Sequence, residues 1–229
     1  MGAVAIRIHC PKFVELLDAM NRSLTDLDLM GYSKQRLDTI KMFQDRGKLV
    51  DKSMLLLNER LRFLSPPGEP DIDVFLDELR MCHTISLKDR LALDSPTIPL
   101  ADLLLEKMQI VKINEKDLKD SIVLLREHAI ADVEKEAIDS QHICKTLAND
   151  WGFYYTVTMN LKKLLDLLPT YSALSENDMK DVSSKTTQLL EQIEKTPKST
   201  RWKMRAKIGT KAKWYQDVDE SPQSKMQQN

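Results

Sequence analysis

Two short segments of the chain alternate acidic with apolar residues. Residues 25–29 read Thr-Asp-Leu-Asp-Leu and residues 71–75 read Asp-Ile-Asp-Val-Phe. Successive side chains of a strand point to opposite faces, so each segment predicts a strand with one apolar and one carboxylate face. Strands are depleted in Asp, and neighbouring carboxylates disfavour each other's ionisation unless a cation lies between them. The pattern therefore indicates a divalent-cation site, and three oxygen ligands from Asp26, Asp28 and Asp73 would suit Mg²⁺.

The rest of the first hundred residues mixes strand and helix patterns. Short apolar or alternating runs predict further strands, and 3.6-residue periodicity predicts helices. Ser33 is a candidate N-cap, and Gly47 is a candidate stop for the helix that follows it. The predicted strands cover residues 3–8, 53–57 and 60–64, with a turn at residues 58–59, and the predicted helices cover residues 13–20 and 34–45.

After about residue 97 the pattern is helical. Pro99 begins an apolar helix, Asn114 caps the next, and Ser175 begins the last. The predicted helices continue over residues 115–126, 131–149, 151–167 and 175–194. We therefore predict an α+β protein with an N-terminal mixed sheet and flanking helices, followed by an all-helical C-terminal part. The predicted units are an α/β core over residues 1–95, a helical domain over 96–195 and a basic aromatic arm and tail over 196–229.

Composition narrows the class of protein. The chain has 229 residues, 42% hydrophobic and 30% charged, which is enough for one large or two small domains. No apolar run has the length of a membrane span, and the first residues lack a signal-peptide pattern. The three cysteines are scattered, which favours reduced thiols in a cytoplasmic protein, and the four scattered histidines argue against a zinc site.

The net charge of −1 conceals a strongly basic segment. Residues 195–213 contain eight basic and no acidic residues, so the remainder of the chain carries −9. With Trp202, Trp214 and Tyr215 interleaved, this segment could bind nucleic acid through phosphate contacts and base stacking. The alternative is an arm docked on the acidic body with the tryptophans as packing anchors, and we favour that interpretation.

Several motifs together resemble a known fold. Residues 2–5 read Gly-Ala-Val-Ala, residues 22–28 read Arg-Ser-Leu-Thr-Asp-Leu-Asp, and the acidic segment at 71–75 follows. This order resembles the nucleotidyltransferase (polymerase-β-like) fold, whose signature is a small-residue turn, a carboxylate pair spaced by one residue and a third carboxylate on a later strand. Residues 103–109 (Leu-Leu-Leu-Glu-Lys-Met-Gln) and 115–120 (Glu-Lys-Asp-Leu-Lys-Asp) are similar to the lysine and Asp-x-x-Asp motifs of the AbiEii-like abortive-infection toxin family within that fold.

The resemblance implies roles for the carboxylates. Asp26 and Asp28 would hold Mg²⁺ or Mn²⁺ ions that bridge the triphosphate of an NTP. Asp73 would be the third ligand and would activate the attacking hydroxyl, with Asp71 as the alternative for that role. Such transfer depends on positioning and charge neutralisation more than on covalent chemistry, and two metal ions can clamp the attacking and leaving oxygens.

The resemblance also implies roles at the nucleotide. Gly2 and Ala3 would form the turn at the phosphates, where a residue without Cβ allows close approach of the backbone. Lys107 would place a cation on the triphosphate, and Arg22 would assist there. Asp117 or Asp120 would lie near the nucleotide or orient Lys107. Of these two, Asp120 is counted among the predicted catalytic residues.

Each of these residues also has a purely structural interpretation. Lys107 alone is typical of a solvated helix position, and Asp117 and Asp120 three residues apart could line a polar helix face. Arg60 and Arg62 share one strand face, where we expect them to pair with surface acids rather than point at the nucleotide. The histidine at position 83 we expect to be packed rather than a ligand.

The predicted function is transfer of a nucleoside monophosphate from an NTP to a hydroxyl of tRNA, a protein or a small molecule. The toxin resemblance implies a setting in phage defence or beside an antitoxin partner. The alternative is a catalytically degenerate module of the same fold that binds RNA or a partner protein. The glycine motif stands at the first residues and far from Asp26, so either the N-terminus is truncated or the phosphate-binding turn is degenerate.

Overall fold

The computed structural model describes residues 1–56 and 59–218. Its N-terminal part combines a mixed sheet with helices, and its C-terminal part is mostly helical, as the α+β prediction expects. The helices are α1 (Gly2–His9), α2 (Val14–Ala19), α3 (Arg36–Gln44), α4 (Leu100–Met108), α5 (Glu115–Glu127), α6 (Ser140–Leu147), α7 (Trp151–Leu167), α8 (Glu176–Lys195) and α9 (Thr200–Ile208). The strands are β1 (Leu27–Gly31), β2 (Leu49–Val50), β3 (Arg60–Leu64), β4 (Ile72–Leu76), β5 (Glu78–Arg80), β6 (Thr84–Ser86), β7 (Ala129–Ala131) and β8 (Ala137–Asp139).

A four-stranded sheet organises the N-terminal part. Its strand order is β1-β4-β3-β2, with β1 parallel to β4 and the other neighbours antiparallel. Leu27 and Leu29 pack with the apolar cluster of one sheet face, which α3 covers through Phe43. The alternate residues Met30 and Phe75 belong to the main core on the opposite face. The sheet therefore buries both faces, and its second face meets α1 and the helices of the C-terminal part.

One large hydrophobic cluster joins the two halves of the chain. It runs from Ile6 on α1 through Phe75 on β4 to Leu104 on α4, and continues to Leu161 on α7 and Leu189 on α8. Most of these side chains are fully buried. The helices that follow the sheet in sequence therefore pack directly against α1 and the sheet.

The strand predicted over residues 3–8 is wrong, because these residues form α1. A short apolar run does not distinguish a buried strand from a buried helix. The buried positions are Gly2, Ala3, Ala5 and Ile6, a spacing that makes one face of a helix. The helix lies against β1 and covers the end of the sheet that carries the acidic residues.

The strand predicted over residues 53–57 is also wrong where the structure describes it. Lys52–Leu56 form a 3-10 turn, and residues 57 and 58 of the predicted strand and turn lie outside the described residues. The carboxylate of Asp51 accepts hydrogen bonds from the Ser53 amide at 2.9 Å and the Ser53 hydroxyl at 2.7 Å. Such local bonding favours a turn over an extended strand.

The C-terminal part is mostly rather than entirely helical. Residues 131–149 do not form one helix: β7 and β8 form a small parallel pair, and α6 begins at Ser140. Asp139 ends the strand and caps α6, because its side chain accepts from two amides of the first helical turn. The other predicted helices are confirmed, including the cap of Asn114 on the Asp117 amide and the capping box of Ser175.

The basic C-terminal segment docks on α7 through aromatic side chains. The Trp202 ring lies 5.0 Å from the Tyr154 ring, and the Trp214 ring lies 5.1 Å from the Tyr155 ring. The Trp214 indole also donates to the Thr156 hydroxyl at 3.1 Å. The tryptophans are therefore packing anchors, as the docked-arm interpretation expects. Among the described helices, none combines the length and apolar composition needed to cross a membrane.

Candidate active site

The two predicted acidic strands bring their carboxylates together. Asp28 on β1 is paired in register with Asp73 on β4. Asp73 is buried, Asp28 is half-buried, and Asp26 is exposed just before β1. The carboxylate of Asp26 accepts a hydrogen bond from the neighbouring Thr25 hydroxyl at 2.9 Å. Parallel pairing of the strands thus places two of the three predicted metal ligands side by side.

Asp28 carries a strongly perturbed carboxylate. Burial raises its pKa from 3.8 to about 7, with the charges of Asp26, Glu106 and Asp73 adding to the rise and Lys107 opposing it. Within residues 1–56 and 59–218, no group donates a hydrogen bond to the Asp28 carboxylate. A cation bound beside Asp28 would favour the ionised form of its carboxylate.

Gly2 lies directly against this carboxylate. It begins α1 with a φ of +67°, and a Cβ built on it would stand 2.4 Å from Asp28 Oδ2. Its amide donates to Glu106 Oε2 at 3.3 Å, and the Met1 nitrogen donates to the backbone oxygen of Asp28 at 3.0 Å. Only a residue without a side chain fits at this first position of α1, against Asp28.

Lys107 lies beneath the strand carboxylates, surrounded by acids. Its Nζ is 3.1 Å from Asp120, 3.4 Å from Asp117 and 3.6 Å from Glu106. Burial favours the neutral amine, but these acids together with Asp28 outweigh it and raise the pKa of Lys107. Burial likewise raises the pKa of Glu106 and of Asp117, against the opposing charge of Lys107. The lysine is thus a buried cation rather than a solvated helix residue.

Arg22 closes this network from the other side. Its Nε and Nη2 each donate to one oxygen of the Asp120 carboxylate at 2.9 Å, and both residues are buried. A further guanidinium nitrogen donates to the Ser23 carbonyl. The side chain is fully engaged by the protein, so its position favours bracing Asp120 over contacting a phosphate.

The arginines of β3 pair with the acids of β4 and of the loop before it. Arg60 holds Asp73 through two hydrogen bonds, Nε to Oδ1 at 3.1 Å and Nη2 to Oδ2 at 2.7 Å. Arg62 donates to Asp71 at 2.9 Å, and Asp71 also accepts from the Ser65 amide at 3.0 Å. Both arginines therefore pair with acids, but the partner of Arg60 is not the expected surface acid: it is Asp73, a buried residue and a predicted catalytic one.

Most of the predicted site residues meet in this one region. Ala3 is the exception, because it is buried in α1 and is near the site only through its neighbour Gly2. The sequence motifs give no role to Glu106, although it precedes Lys107 within the same motif. They also do not indicate which acid Arg60 holds, because that pairing depends on the register of β3 against β4. The residues that converge are Gly2, Arg22, Asp28, Asp73, Lys107, Asp117 and Asp120, with Asp26 at the exposed edge beside Asp28 and with Glu106 and Arg60 as further members.

The donor chemistry of the cluster suits Mg²⁺ or Mn²⁺, but its side chains are not assembled around a metal position. In the described part of the chain, no group of three or more Asp, Glu, His or Cys residues is arranged to hold a metal ion. One reason is that Arg60 engages both oxygens of Asp73. Asp28, which accepts no hydrogen bond from the described residues, is the kind of hard oxygen donor that Mg²⁺ prefers.

The histidine at position 83 is packed in the interior. Its ring stacks on Phe153 at 4.9 Å, and Nε2 lies 2.8 Å from the Thr156 hydroxyl. Burial lowers the pKa of His83 to about 4. The expectation of a structural histidine is therefore confirmed.

Comparison with protein-family models, curated proteins and solved structures finds no match to this chain. The residues that converge around Asp28 and Lys107 are therefore the basis for inferring a function.

Proposed function

We propose that this protein is a metal-dependent nucleotidyltransferase that moves a nucleoside monophosphate from an NTP to a hydroxyl. The observation that carries the proposal is the Asp28 carboxylate. It is half-buried, accepts no hydrogen bond from the described residues, has a pKa raised to about 7 and lies beside Asp73 in register. A carboxylate kept in this state is costly unless it serves a ligand, and perturbed acids of this kind cluster at functional sites.

The charge balance of the cluster supports a cationic ligand. Six carboxylates belong to it: Asp26, Asp28, Asp73, Glu106, Asp117 and Asp120. Four cationic groups face them: the Met1 amino group, Arg22, Arg60 and Lys107. With every group ionised the carboxylates outnumber the cations, so the region favours divalent cations over a bare triphosphate. Mg²⁺ held by Asp26, Asp28 and Asp73 would neutralise the triphosphate and allow it to approach.

In the proposed reaction the acceptor hydroxyl oxygen attacks the α-phosphorus of the NTP. The bond from that phosphorus to the bridging oxygen breaks, and pyrophosphate leaves. Asp73 accepts the proton of the hydroxyl, so it must first be released from Arg60. Gly2 is buried and its amide donates to Glu106, so its position against Asp28 favours close packing of α1 over a phosphate-binding turn.

The buried network holds the floor of the proposed site. Lys107 provides a fixed positive charge below Asp28, and Asp117 and Asp120 hold its Nζ from α5. Arg22 in turn fixes Asp120. Preorganised charges of this kind need not reorient during the reaction. Lys107 therefore acts through the field at the triphosphate, with the acids of α5 as its positioning residues.

The proposed acceptor is a hydroxyl of tRNA, of a protein or of a small molecule. The exposed basic residues of the docked arm favour a polyanionic acceptor, because Arg201, Lys203, Lys207 and Lys211 are exposed. A role as a toxin beside an antitoxin or in phage defence rests on the AbiEii-like resemblance alone.

The experiment that tests the proposal is thermal unfolding with each of the four NTPs, with and without Mg²⁺ or Mn²⁺. A ligand that binds only the folded state stabilises it by about 2.7 kcal/mol at a hundredfold excess over its Kd. We expect a metal-dependent rise in Tm with at least one NTP. The double variant Asp26→Asn with Asp28→Asn should lose that rise and remain folded. Asp38→Asn, on the exposed side of α3, is the matched control and should keep it.

A second candidate function is a non-catalytic binding module of the same fold. The Arg60–Asp73 pair favours it, because a carboxylate held on both oxygens is unavailable as a ligand or base. The same unfolding experiment separates the two functions. Absence of any NTP-dependent or metal-dependent change in Tm, in a folded protein, contradicts the enzyme and leaves the binding module.

A further inference from the structure

Arg60 is the cation nearest to a predicted catalytic carboxylate and the one most accessible from solvent. Its side chain is 32% exposed, whereas that of Asp73 is 9% exposed. Lys107 and Arg22 in the same cluster are 7% and 5% exposed. Arg60 can therefore leave the cluster by rotating its own side chain, without any change in the packing of the sheet.

The geometry of the pair explains why the cluster is not assembled around a metal position. The two hydrogen bonds of 3.1 and 2.7 Å use both oxygens of Asp73 and turn that carboxylate toward β3. The guanidinium carbon of Arg60 also lies 5.0 Å from the centre of the Phe75 ring, which holds the arginine along the sheet. A divalent cation held by both Asp28 and Asp73 would compete with Arg60 for the oxygens of Asp73.

We propose that Arg60 is a positioning residue that exchanges Asp73 for a phosphate of the NTP. Without nucleotide it holds Asp73 in the arrangement described above. With a metal–NTP complex bound, Asp73 would be available as a ligand of the metal ion, and the released guanidinium would be available to donate to a phosphate. This inference rests on the proposed nucleotidyltransferase function and adds the residue that couples metal binding to nucleotide binding.

The chemistry of arginine fits both halves of the exchange. Its planar group of donors binds a carboxylate or a phosphate in the same paired manner. Arg60 therefore loses no hydrogen-bonding capacity when it moves from one anion to the other. Asp73 would stay paired with a cation throughout the exchange, because the metal ion would take the place of Arg60.

Arg62 provides a matched control on the same strand. It also pairs with an acid, but Asp71 precedes β4 and additionally accepts from the Ser65 amide, which ties the loop before β4 to the sheet. The side chains of this pair are 16% and 18% exposed, so neither is distinctly free to leave. Removing Arg62 takes the same charge from the same strand without releasing Asp73.

The test measures Mn²⁺ binding to the full chain without nucleotide. Binding is followed by the loss of the electron paramagnetic resonance signal of free Mn²⁺. Arg60→Gln should bind Mn²⁺ about tenfold more tightly than the unaltered protein, since one paired charge-assisted contact no longer competes. Arg62→Gln should stay within about twofold of the unaltered protein. With Mn²⁺ saturating, Arg60→Gln should bind the NTP about tenfold more weakly, because the phosphate contact is lost.

Arg60→Lys keeps the charge but loses the paired geometry, and it should fall between the unaltered protein and Arg60→Gln in both measurements. It also provides the result if Arg60→Gln does not fold. Equal Mn²⁺ affinity in all variants overturns the role of Arg60 and leaves the metal site intact. Mn²⁺ binding by none of the proteins, with or without NTP, overturns the proposed function and the exchange together.

Discussion

At the residue scale, Asp28 combines two requirements that oppose each other. Its position on β1 places it under α1, where burial disfavours a charge, and three further acids stand close to it. Its neighbour in register, Asp73, has an arginine, whereas Asp28 has no hydrogen-bond donor among the described residues. The strand therefore retains a carboxylate that costs stability when no ligand is bound.

This cost gives a pH dependence that can be measured. The folded state raises the pKa of Asp28 from 3.8 to about 7, so between these values it binds more protons than the unfolded state. The contribution of Asp28 to stability is therefore fully present below pH 4 and is lost as the pH rises through 7. In the absence of divalent ions, Asp28→Asn should raise the free energy of unfolding by about 1–3 kcal/mol at pH 8 and have little effect at pH 4.

Urea unfolding at pH 4, 6 and 8 provides the measurement. Asp38→Asn changes an exposed acid of α3 and should show no such pH-dependent gain. If Asp28→Asn is less stable than the unaltered protein at pH 8, then the half-buried Asp28 carboxylate does not lower the stability of the folded protein.

Gly2 gives a second prediction at this scale. Gly2→Ala adds a Cβ at a φ of +67° and 2.4 Å from Asp28 Oδ2, so it combines backbone strain with a steric clash. Gly47→Ala has a similar φ of +77° but meets no atom within 4 Å, so it reports strain alone. We expect a loss of about 1 kcal/mol for Gly47→Ala and roughly 2–3 kcal/mol for Gly2→Ala in urea unfolding. Equal losses of unfolding free energy in the two variants would show that the start of α1 is not in close contact with Asp28.

At the element scale, α5 links local sequence to the site. Asn114 caps the helix on the Asp117 amide at 2.9 Å, and the same first turns carry Asp117 and Asp120 toward Lys107. A side-chain cap is a local feature that fixes where a helix begins. The residue at which α5 begins therefore determines where Asp117 and Asp120 lie relative to Lys107 of α4.

Removal of this cap should have a consequence that removal of a distant cap does not. Asn114→Ala and Ser175→Ala each delete a side-chain cap, so each should lower the free energy of unfolding by about 1 kcal/mol. Because α5, unlike α8, carries acids that contact Lys107, only Asn114→Ala should also reduce the metal-dependent rise in Tm with NTP. An equal reduction in both variants would mean that the effect follows global stability and not the position of α5.

At the scale of the whole molecule, the C-terminal segment ties distant parts together. The Thr156 hydroxyl on α7 lies 3.1 Å from the Trp214 indole nitrogen and 2.8 Å from His83 Nε2, between β5 and β6. The Gln216 amide donates to the Cys82 carbonyl at 3.0 Å. A segment at the end of the described chain thereby bridges α7 and the strands that follow β4.

The fit of this segment depends on a glycine of α7. A Cβ added to Gly152 would stand 2.4 Å from the Trp214 carbonyl oxygen, so Gly152→Ala should displace the segment. We expect Gly152→Ala and Trp214→Ala each to lower the free energy of unfolding by about 1–3 kcal/mol. Because both act on one contact, the double variant should lose less than the sum of the two.

Urea unfolding of the two single variants and the double variant measures this coupling, and amide hydrogen exchange at Gln216 reports the release of the segment directly. Lys211→Ala, an exposed position of the same segment, should change stability by less than about 0.5 kcal/mol. Full additivity of Gly152→Ala and Trp214→Ala would show that they do not act on the same contact.

The sequence by itself determined the elements whose signal is local. Alternation of period two located β1 and β4 and put Asp28 and Asp73 on the carboxylate face, because side-chain direction in a strand depends only on position. Caps located the starts of α5 and α8, because Asn114 and Ser175 bond amides three residues away. Such patterns do not require knowledge of what packs against them.

Only the tertiary structure decided the features that depend on distant partners. The apolar run at residues 3–8 is compatible with strand or helix, and its place as a helix over β1 follows from what it covers. The burial of Glu106 and Lys107 and the hold of Arg60 on Asp73 depend on which elements meet. Long-range packing sets burial, and burial sets the pKa of Asp28, so the chemistry of the site is a tertiary property of locally encoded residues.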